Sequence, residues 1–442
     1  MKRMQCVVIT TIAVTLGLVS CDTFGYRLAS RWTETATDDS GGLVQGDATT
    51  LTWSIISDGS TVYPQGIAPS APSNLIAALD EHFAIVDNTN DRTSTGSRPW
   101  LENRSWFSQY INPAFARMGA VSGLSIVYVD YDDGSRSGTL AHPDVYPGEI
   151  GTRADIRLGG MNIDYDVGGF LAVSHTPSTG GNIIIDTYGY DVEGKTNALF
   201  SESDNNYRIL RNTIMHESGH SFGMFHVVAS GVEFLMEPKL ITGQDGPQFD
   251  DILGLHRHYG DANEKAGNDV IGSATSLGVV NFGQALIGED ASDKVVAPTD
   301  VDFVSIDGSS DTDYFSFTVL SGAMASIVLT PIGPDYTIGP DYGGGTLDVD
   351  FVASEQTDLT LELIGPDKTS LLIEKNENGL GGAESIIDFS LDQAGTYYIK
   401  VNGDEDFAQF YQLSLDVTPE PASMSLLALG AIALLKRRRR TR

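Results

Sequence analysis

His216-Glu217-Ser218-Gly219-His220-Ser221-Phe222-Gly223-Met224-Phe225-His226 sets three histidines and a glutamate in the pattern H-E-x-x-H-x-x-G-x-x-H. Histidines four residues apart share one helix face, so His216 and His220 can aim both imidazoles at a single ion. A straight helix would carry position 226 away. Gly223 supplies the left-handed backbone of a helix exit, which lets His226 return as third ligand. Three neutral imidazoles suit zinc and leave its fourth tetrahedral position to water. Glu217 is placed to take a proton from that water as it attacks a carbonyl. The spacing predicts a hydrolytic centre with one zinc, held by His216, His220 and His226, and with Glu217 as general base. Chance would have to place three of only eight histidines in this register. A decayed, metal-free relative is the stronger competing reading, although all three ligands and the glutamate are present.

Composition frames this centre. The chain has 442 residues with ordinary apolar content, enough for two or three domains. Acidic residues outnumber basic ones 59 to 27, a net charge of −32 that repels nucleic acid and excludes it as a partner. The two cysteines, Cys6 and Cys21, both lie near the start, so no internal disulfide is expected in the mature protein. Lys2 and Arg3 precede an apolar run from Cys6 to Val19, the layout of a secretory signal over residues 1–25. Leu18-Val19-Ser20-Cys21 resembles a lipobox that would lipidate Cys21; the other reading is ordinary cleavage near Gly25. Residues 26–50, rich in Thr, Asp and Gly from Thr33 to Gly46, read as a linker.

Apolar, β-branched runs predict strands at Leu51–Ile56, Leu124–Val129, Ala154–Leu158 and Gly181–Asp186. Helical spacing appears over Ser73–Val86, Asn112–Val121 and about Tyr207–Ser221. This alternation predicts an α+β domain over 51–263, a twisted mixed sheet with helices. The stretch from Leu51 to Gly260 resembles the matrixin branch of the metzincin metallopeptidases. The resemblance rests on the zinc pattern, on Phe234-Leu235-Met236-Glu237-Pro238 and on Asp250-Asp251-Ile252-Leu253-Gly254-Leu255-His256-Arg257-His258-Tyr259-Gly260. It implies that Met236 forms a Met-turn beneath the metal and that the last stretch is a terminal helix. It also implies endoproteolysis of a peptide laid antiparallel to an edge strand formed by Phe170, Leu171, Ala172, Val173 and Ser174, with Glu237 and the loop Val227–Phe234 bordering the pocket.

The chain departs from the family pattern at Val227, where serine is usual. Val173 and Ile184 stand where animal matrixins carry histidines for a structural zinc, and His175 reads as a surface or strand-end residue. No cysteine follows Cys21, which excludes latency by a cysteine plug. His256 and His258 are two apart and face different sides of a helix, so they read as structural.

Ala262–Gly267 reads as a domain boundary. Beyond it, strand-like runs at Asp313–Val319, Ala325–Leu329, Leu359–Ile364, Ser385–Leu391 and Thr396–Val401 predict an all-β antiparallel sandwich over 268–417. Asn268-Asp269-Val270 to Leu277, Asp311–Phe315 and Ala394–Ile399 resemble a bacterial pre-peptidase C-terminal domain. Asp302, Asp307, Asp311 and Asp313 are candidate calcium ligands, against the alternative of a solvated acidic face. Over 418–442, Pro419-Glu420-Pro421 precedes an apolar stretch, Ala422 to Leu435, and then Lys436 with four arginines. The stretch is shorter than the roughly 20 residues a spanning helix needs. It resembles the PEP-CTERM signal that an exosortase removes, which implies export from a Gram-negative bacterium and only transient contact with the membrane. The sequence thus predicts a secreted zinc endopeptidase acting on a protein or peptide substrate. A silent adhesion protein that works through its sandwich, or a hydrolase of another polymer, is the alternative.

Overall fold

The computed structural model describes residues 25–420 apart from 39, 87–89, 138–147, 167–168, 190–196, 201, 240–242 and 340–348. The expected signal with Cys21, and the sorting stretch from 421 onward, lie outside the described residues. Among the described residues no helix is long and apolar enough to cross a membrane.

The first half is built on a five-stranded sheet. Its strands are β1 (Thr49–Ile55), β2 (Leu124–Tyr128), β3 (Ile156–Met161), β4 (Ala172–Ser174) and β5 (Ile183–Asp186), in the order β2-β1-β3-β5-β4. All pairings are parallel except β4 with β5, so the sheet is mixed and β4 is an antiparallel edge. Every residue of β3 and β5 is buried, as expected of central strands covered on both faces. Four helices accompany the sheet: α1 (Leu75–His82), α2 (Asn112–Ala120), α3 (Arg208–Ser221) and α4 (Phe249–Tyr259). Trp53 of β1 stacks on Phe115 of α2 with ring centroids 4.3 Å apart, at the centre of the core between sheet and helices.

The second half is a sandwich of two sheets. Its strands are β7 (Thr275–Val279), β8 (Gly283–Ile287), β9 (Ser305–Ile306), β10 (Thr312–Val319), β11 (Ala323–Pro331), β14 (Leu359–Ile364), β15 (Leu371–Lys375), β16 (Glu384–Leu391), β17 (Gly395–Gly403) and β18 (Gln409–Pro419). One sheet runs β7-β10-β17-β14-β15; the other runs β8-β18-β11-β16, with β9 also on β18. Buried and half-buried residues alternate along β10 and β11, so one face of each strand meets the core. The antiparallel expectation needs one correction, because β7 joins β10 in parallel.

Two further expectations give way. Residues 26–50 are not a plain linker: Tyr26, Arg31, Trp32 and Thr35 are buried, and Leu28 bridges to Met224 within the histidine stretch. The local composition reads as flexible, yet Trp32 donates from Nε1 to the Ser221 carbonyl at 2.7 Å, closing α3 from 189 residues away. Nor do the halves separate cleanly at Ala262–Gly267. A buried cluster joins Tyr26, Val227, Phe234, Phe249 and Leu253 to Phe303, Tyr336, Phe351 and Phe410. A small sheet crosses the junction in the order β6-β12-β13, where β6 is Ala229–Ser230, β12 is Tyr336–Ile338 and β13 is Val349–Phe351.

Candidate metal centre

Helix α3 is buried around most of its circumference, with Leu210, Ile214, Ser218 and Ser221 on the side away from the histidines, which fixes its rotation. His216 and His220 therefore project together on the partly open side. The helix ends before Gly223, whose φ of 93° lies in the left-handed region. A side chain there would also collide with the Ser30 carbonyl, 2.4 Å from the position of a Cβ. The turn swings His226 back, leaving its Nε2 3.2 Å from that of His216 and 3.1 Å from that of His220.

The outer nitrogens decide what these short contacts are. His216 Nδ1 lies 2.6 Å from the Leu235 carbonyl and His220 Nδ1 lies 2.7 Å from the Met224 carbonyl. A carbonyl only accepts, so both protons sit on Nδ1 and both Nε2 lone pairs face inward. These two lone pairs can be met by a proton on His226 Nε2 or, together with the His226 lone pair, by a single cation between the three rings. A tetrahedral zinc about 2.0–2.1 Å from each nitrogen would set ligand nitrogens roughly 3.3 Å apart, close to the spacing seen. The donor set fits zinc. Burial, reinforced by the neighbouring imidazoles, pushes His216 well below the usual imidazole range and His220 down to about 4, so neither competes with an ion by binding a proton.

Glu217 points into the same cleft, where burial alone pushes its carboxyl up to about 8. Met236 is fully buried beneath the histidines. Gly219 permits this approach, since a Cβ there would lie 2.4 Å from Met236 Sδ. Asp251 fixes the turn: its two carboxylate oxygens accept from the backbone N–H groups of Met236, Leu235 and Gln248 at 2.9, 2.7 and 2.8 Å. The Leu235 carbonyl then receives the proton of His216, so the turn through Met236 orients that imidazole. The last stretch is a helix, α4, with Gln248 as its N-cap.

A cleft of about 820 Å³ opens over the histidines. Phe170, Leu171, Ala172, Val173 and Ser174 all line it, together with Thr213, Phe225 and Glu237. Only Ala172–Ser174 are strand; Phe170 is an exposed residue before it whose N–H donates to Asp164. The strand is tied to α3 by a 2.8 Å hydrogen bond between the Ser174 and Ser221 hydroxyls. Gly219 and Thr213 were not marked by the sequence pattern, although both fall on the helix face that the histidine spacing defines; Ser174 was marked only as an edge-strand residue.

Three further histidines among the described residues have partners away from this centre. His175 follows the edge strand but is buried rather than on the surface, with Nδ1 3.1 Å from the Asn182 carbonyl. His256 bridges Ser305 and the Val121 carbonyl, and His258 reaches the Gly223 carbonyl. Both brace the fold.

A second cluster sits at the junction of the two halves. Carboxylate oxygens of Glu264, Asp311 and Asp313 lie within 4.8 Å of one another, and all three side chains are buried. Asn268 is fully buried beside them and donates to Asp313 from its side-chain amide, while its own carbonyl oxygen has no partner. One oxygen each of Glu264 and Asp311 is likewise unpartnered. Burial and mutual repulsion raise these acids, Glu264 up to about 12. Of the four aspartates marked for calcium, Asp311 and Asp313 belong here. Asp307 accepts no place in the trio but lies close enough to raise Asp311, and Asp302 instead accepts from the backbone of Gly288 and Glu289.

Comparison with known proteins adds an address. Residues 417–440 match the PEP-CTERM protein-sorting motif. This chain therefore carries the signal of a protein exported toward the cell surface or exterior of a Gram-negative bacterium through exosortase-type machinery. No curated protein sequence matches. Among solved structures, the pre-peptidase C-terminal domain of a collagenase from Bacillus anthracis is 17% identical, covering 32% of this chain and 94% of its own, with a TM-score of 0.18. PliG of Aeromonas hydrophila, a periplasmic inhibitor of g-type lysozyme, is 11% identical, covering 33% of this chain and 97% of its own, again with a TM-score of 0.18.

Proposed function

We propose that this protein is an exported zinc-dependent endopeptidase of matrixin-like metzincin type, acting on protein or peptide substrates. The observation that carries this reading is the convergence of three imidazole Nε2 atoms, two with their Nδ1 protons committed to carbonyls, beside a buried glutamate in an open cleft. His216, His220 and His226 would hold the ion, which when bound supplies a Lewis acid for the scissile carbonyl and acidifies water. Glu217 takes the proton from the attacking water and returns it to the leaving amine. The β4 edge offers backbone N–H and C=O groups to an extended peptide, binding it with little dependence on sequence. Zinc analysis and casein cleavage by wild type and Glu217→Ala test this. Loss of cleavage with zinc retained supports it; a wild type that binds zinc but cleaves no protein supports an adhesion role.

The second half reads as an accessory domain of pre-peptidase C-terminal type. Its junction cluster fits a hard cation such as calcium, with Glu264, Asp311 and Asp313 as charged oxygen ligands and the Asn268 carbonyl as a neutral one. The orphaned Asn268 oxygen, fully buried, is what distinguishes this cluster from an acidic surface. Calcium titration followed by calorimetry, with Asp313→Asn as control, tests it.

A further inference from the structure

The loop from Val227 to Met236 joins His226 to the cleft-lining Glu237, and it is held from outside its own half of the molecule. Ala229 and Ser230 pair with Ile338 and Thr337 of β12, and Gly339 donates to the Val228 carbonyl at 2.7 Å. At the head of β12, Tyr336 is buried with its ring edge-on to Phe234, centroids 4.8 Å apart. Its hydroxyl donates to Asp250, which is itself buried and adjacent to the Asp251 that fixes the Met-turn. The two ends of the loop are joined as well, since Val227 donates to the Met236 carbonyl at 3.0 Å and Glu237 accepts from Ala229. Two neighbouring carboxylates at the start of α4 thus serve different masters. Asp251 holds the Met-turn from within, and Asp250 holds the strand that braces the loop.

We infer that Tyr336 of the C-terminal half is a positioning residue for His226, acting through the loop that follows it, so that the sandwich helps to set the active site instead of merely accompanying it. This rests on the zinc-peptidase reading. The physical argument is leverage. Val227 directly follows a metal ligand and shares a buried cluster with Tyr336 and Phe234. A two-residue strand such as β6 has too few hydrogen bonds to persist without its β12 partner. With Tyr336 in place the loop has one conformation, and His226 meets the other imidazoles without an ordering cost at the moment of metal binding. Without it, the loop is a connection of about nine residues that must be ordered each time. Contacts outside the first ring of ligands commonly matter to metal affinity by about 10–100-fold.

The test uses the exported chain without its sorting tail, as wild type, Tyr336→Phe and Tyr336→Ala. Hydrogen exchange of the 227–234 amides in chelator is followed by cobalt titration, reading affinity and the visible bands of a tetrahedral ion. In Tyr336→Ala the loop amides should exchange faster and cobalt should bind about 10-fold more weakly, while Tyr336→Phe, which keeps the ring, falls between. Circular dichroism and thermal melting report whether each variant is folded. If Tyr336→Ala does not fold, Tyr336→Phe decides: faster loop exchange supports the inference. Wild-type exchange and cobalt affinity in the folded variants would overturn it. A wild type whose loop is protected but which binds no cobalt would instead reject the zinc reading and leave the brace standing.

Discussion

The histidine trio and the carboxylate trio are both groups of three donors within reach of a single ion, yet they differ in donor type, in access and in what stands beside them. The first uses neutral nitrogen donors on one helix and its exit turn, opens on a cleft, and has a glutamate beside it. The second uses charged oxygen donors drawn from both halves of the chain and is buried at their junction. An ion in the open site has a coordination position to offer substrate; one in the closed site can only hold segments together. Donor type and access thus separate chemistry from structure within one chain.

Breaking the open site should have the largest consequence. Glu217→Gln is expected to retain zinc and lower kcat by about 10²–10⁴-fold, whereas His226→Ala loses zinc and cleavage together, as metal analysis and peptide hydrolysis would read. The closed site should respond through stability. Calcium at about 100 times its Kd should stabilise the folded chain by about 2.7 kcal/mol, seen as a raised Tm that Asp313→Asn removes while leaving Glu217 chemistry in place.

The buried acids at the junction, Glu264 with its neighbours Asp261 and Asp307, should also make stability depend on pH. In chelator, Asp261, Asp307 and Glu264 hold protons in the folded state up to about 6, 7 and 12, against ordinary values of 3.8, 3.8 and 4.5, mainly because burial penalises their charge. The folded chain then binds more protons than the unfolded one, so stability is fullest below about pH 4 as far as these groups are concerned. It falls as pH rises through about 6 and 7. Above the range in which the buried histidines titrate, denaturant titrations from pH 7.5 to 9 should show that decline through Glu264, with calcium opposing it; a stability that rises in chelator over this span would contradict the crowding of these acids. The smallest effect is expected at Met236→Leu, a swap of similar volume costing under about 1.5 kcal/mol, whereas Gly219→Ala forces a Cβ against Met236 and should cost about 1–3 kcal/mol.

What could be read from sequence follows the range of the interaction. His216, His220 and His226 are fixed by helix periodicity and one glycine turn, all within eleven residues, and the strands of the sandwich advertise themselves by alternation. Trp32 gave no such signal, because the Thr- and Asp-rich residues around it read as linker and its partner is the distant Ser221 carbonyl. The carboxylate trio was half visible: Asp311 and Asp313 stand in one strand-forming run, but Glu264 comes from the supposed boundary. Tyr336 was invisible for the same reason. A three-residue strand declares neither its partner nor its side of the molecule, and only folding brings it to the loop behind His226.

The decisive measurement is zinc stoichiometry with peptide cleavage on the folded chain spanning residues 26–420, for wild type beside Glu217→Gln. The geometry predicts one zinc per chain in both proteins, with rapid cleavage in wild type alone. A wild type that takes up no zinc, or a Glu217→Gln variant that cleaves as fast as wild type, would contradict it.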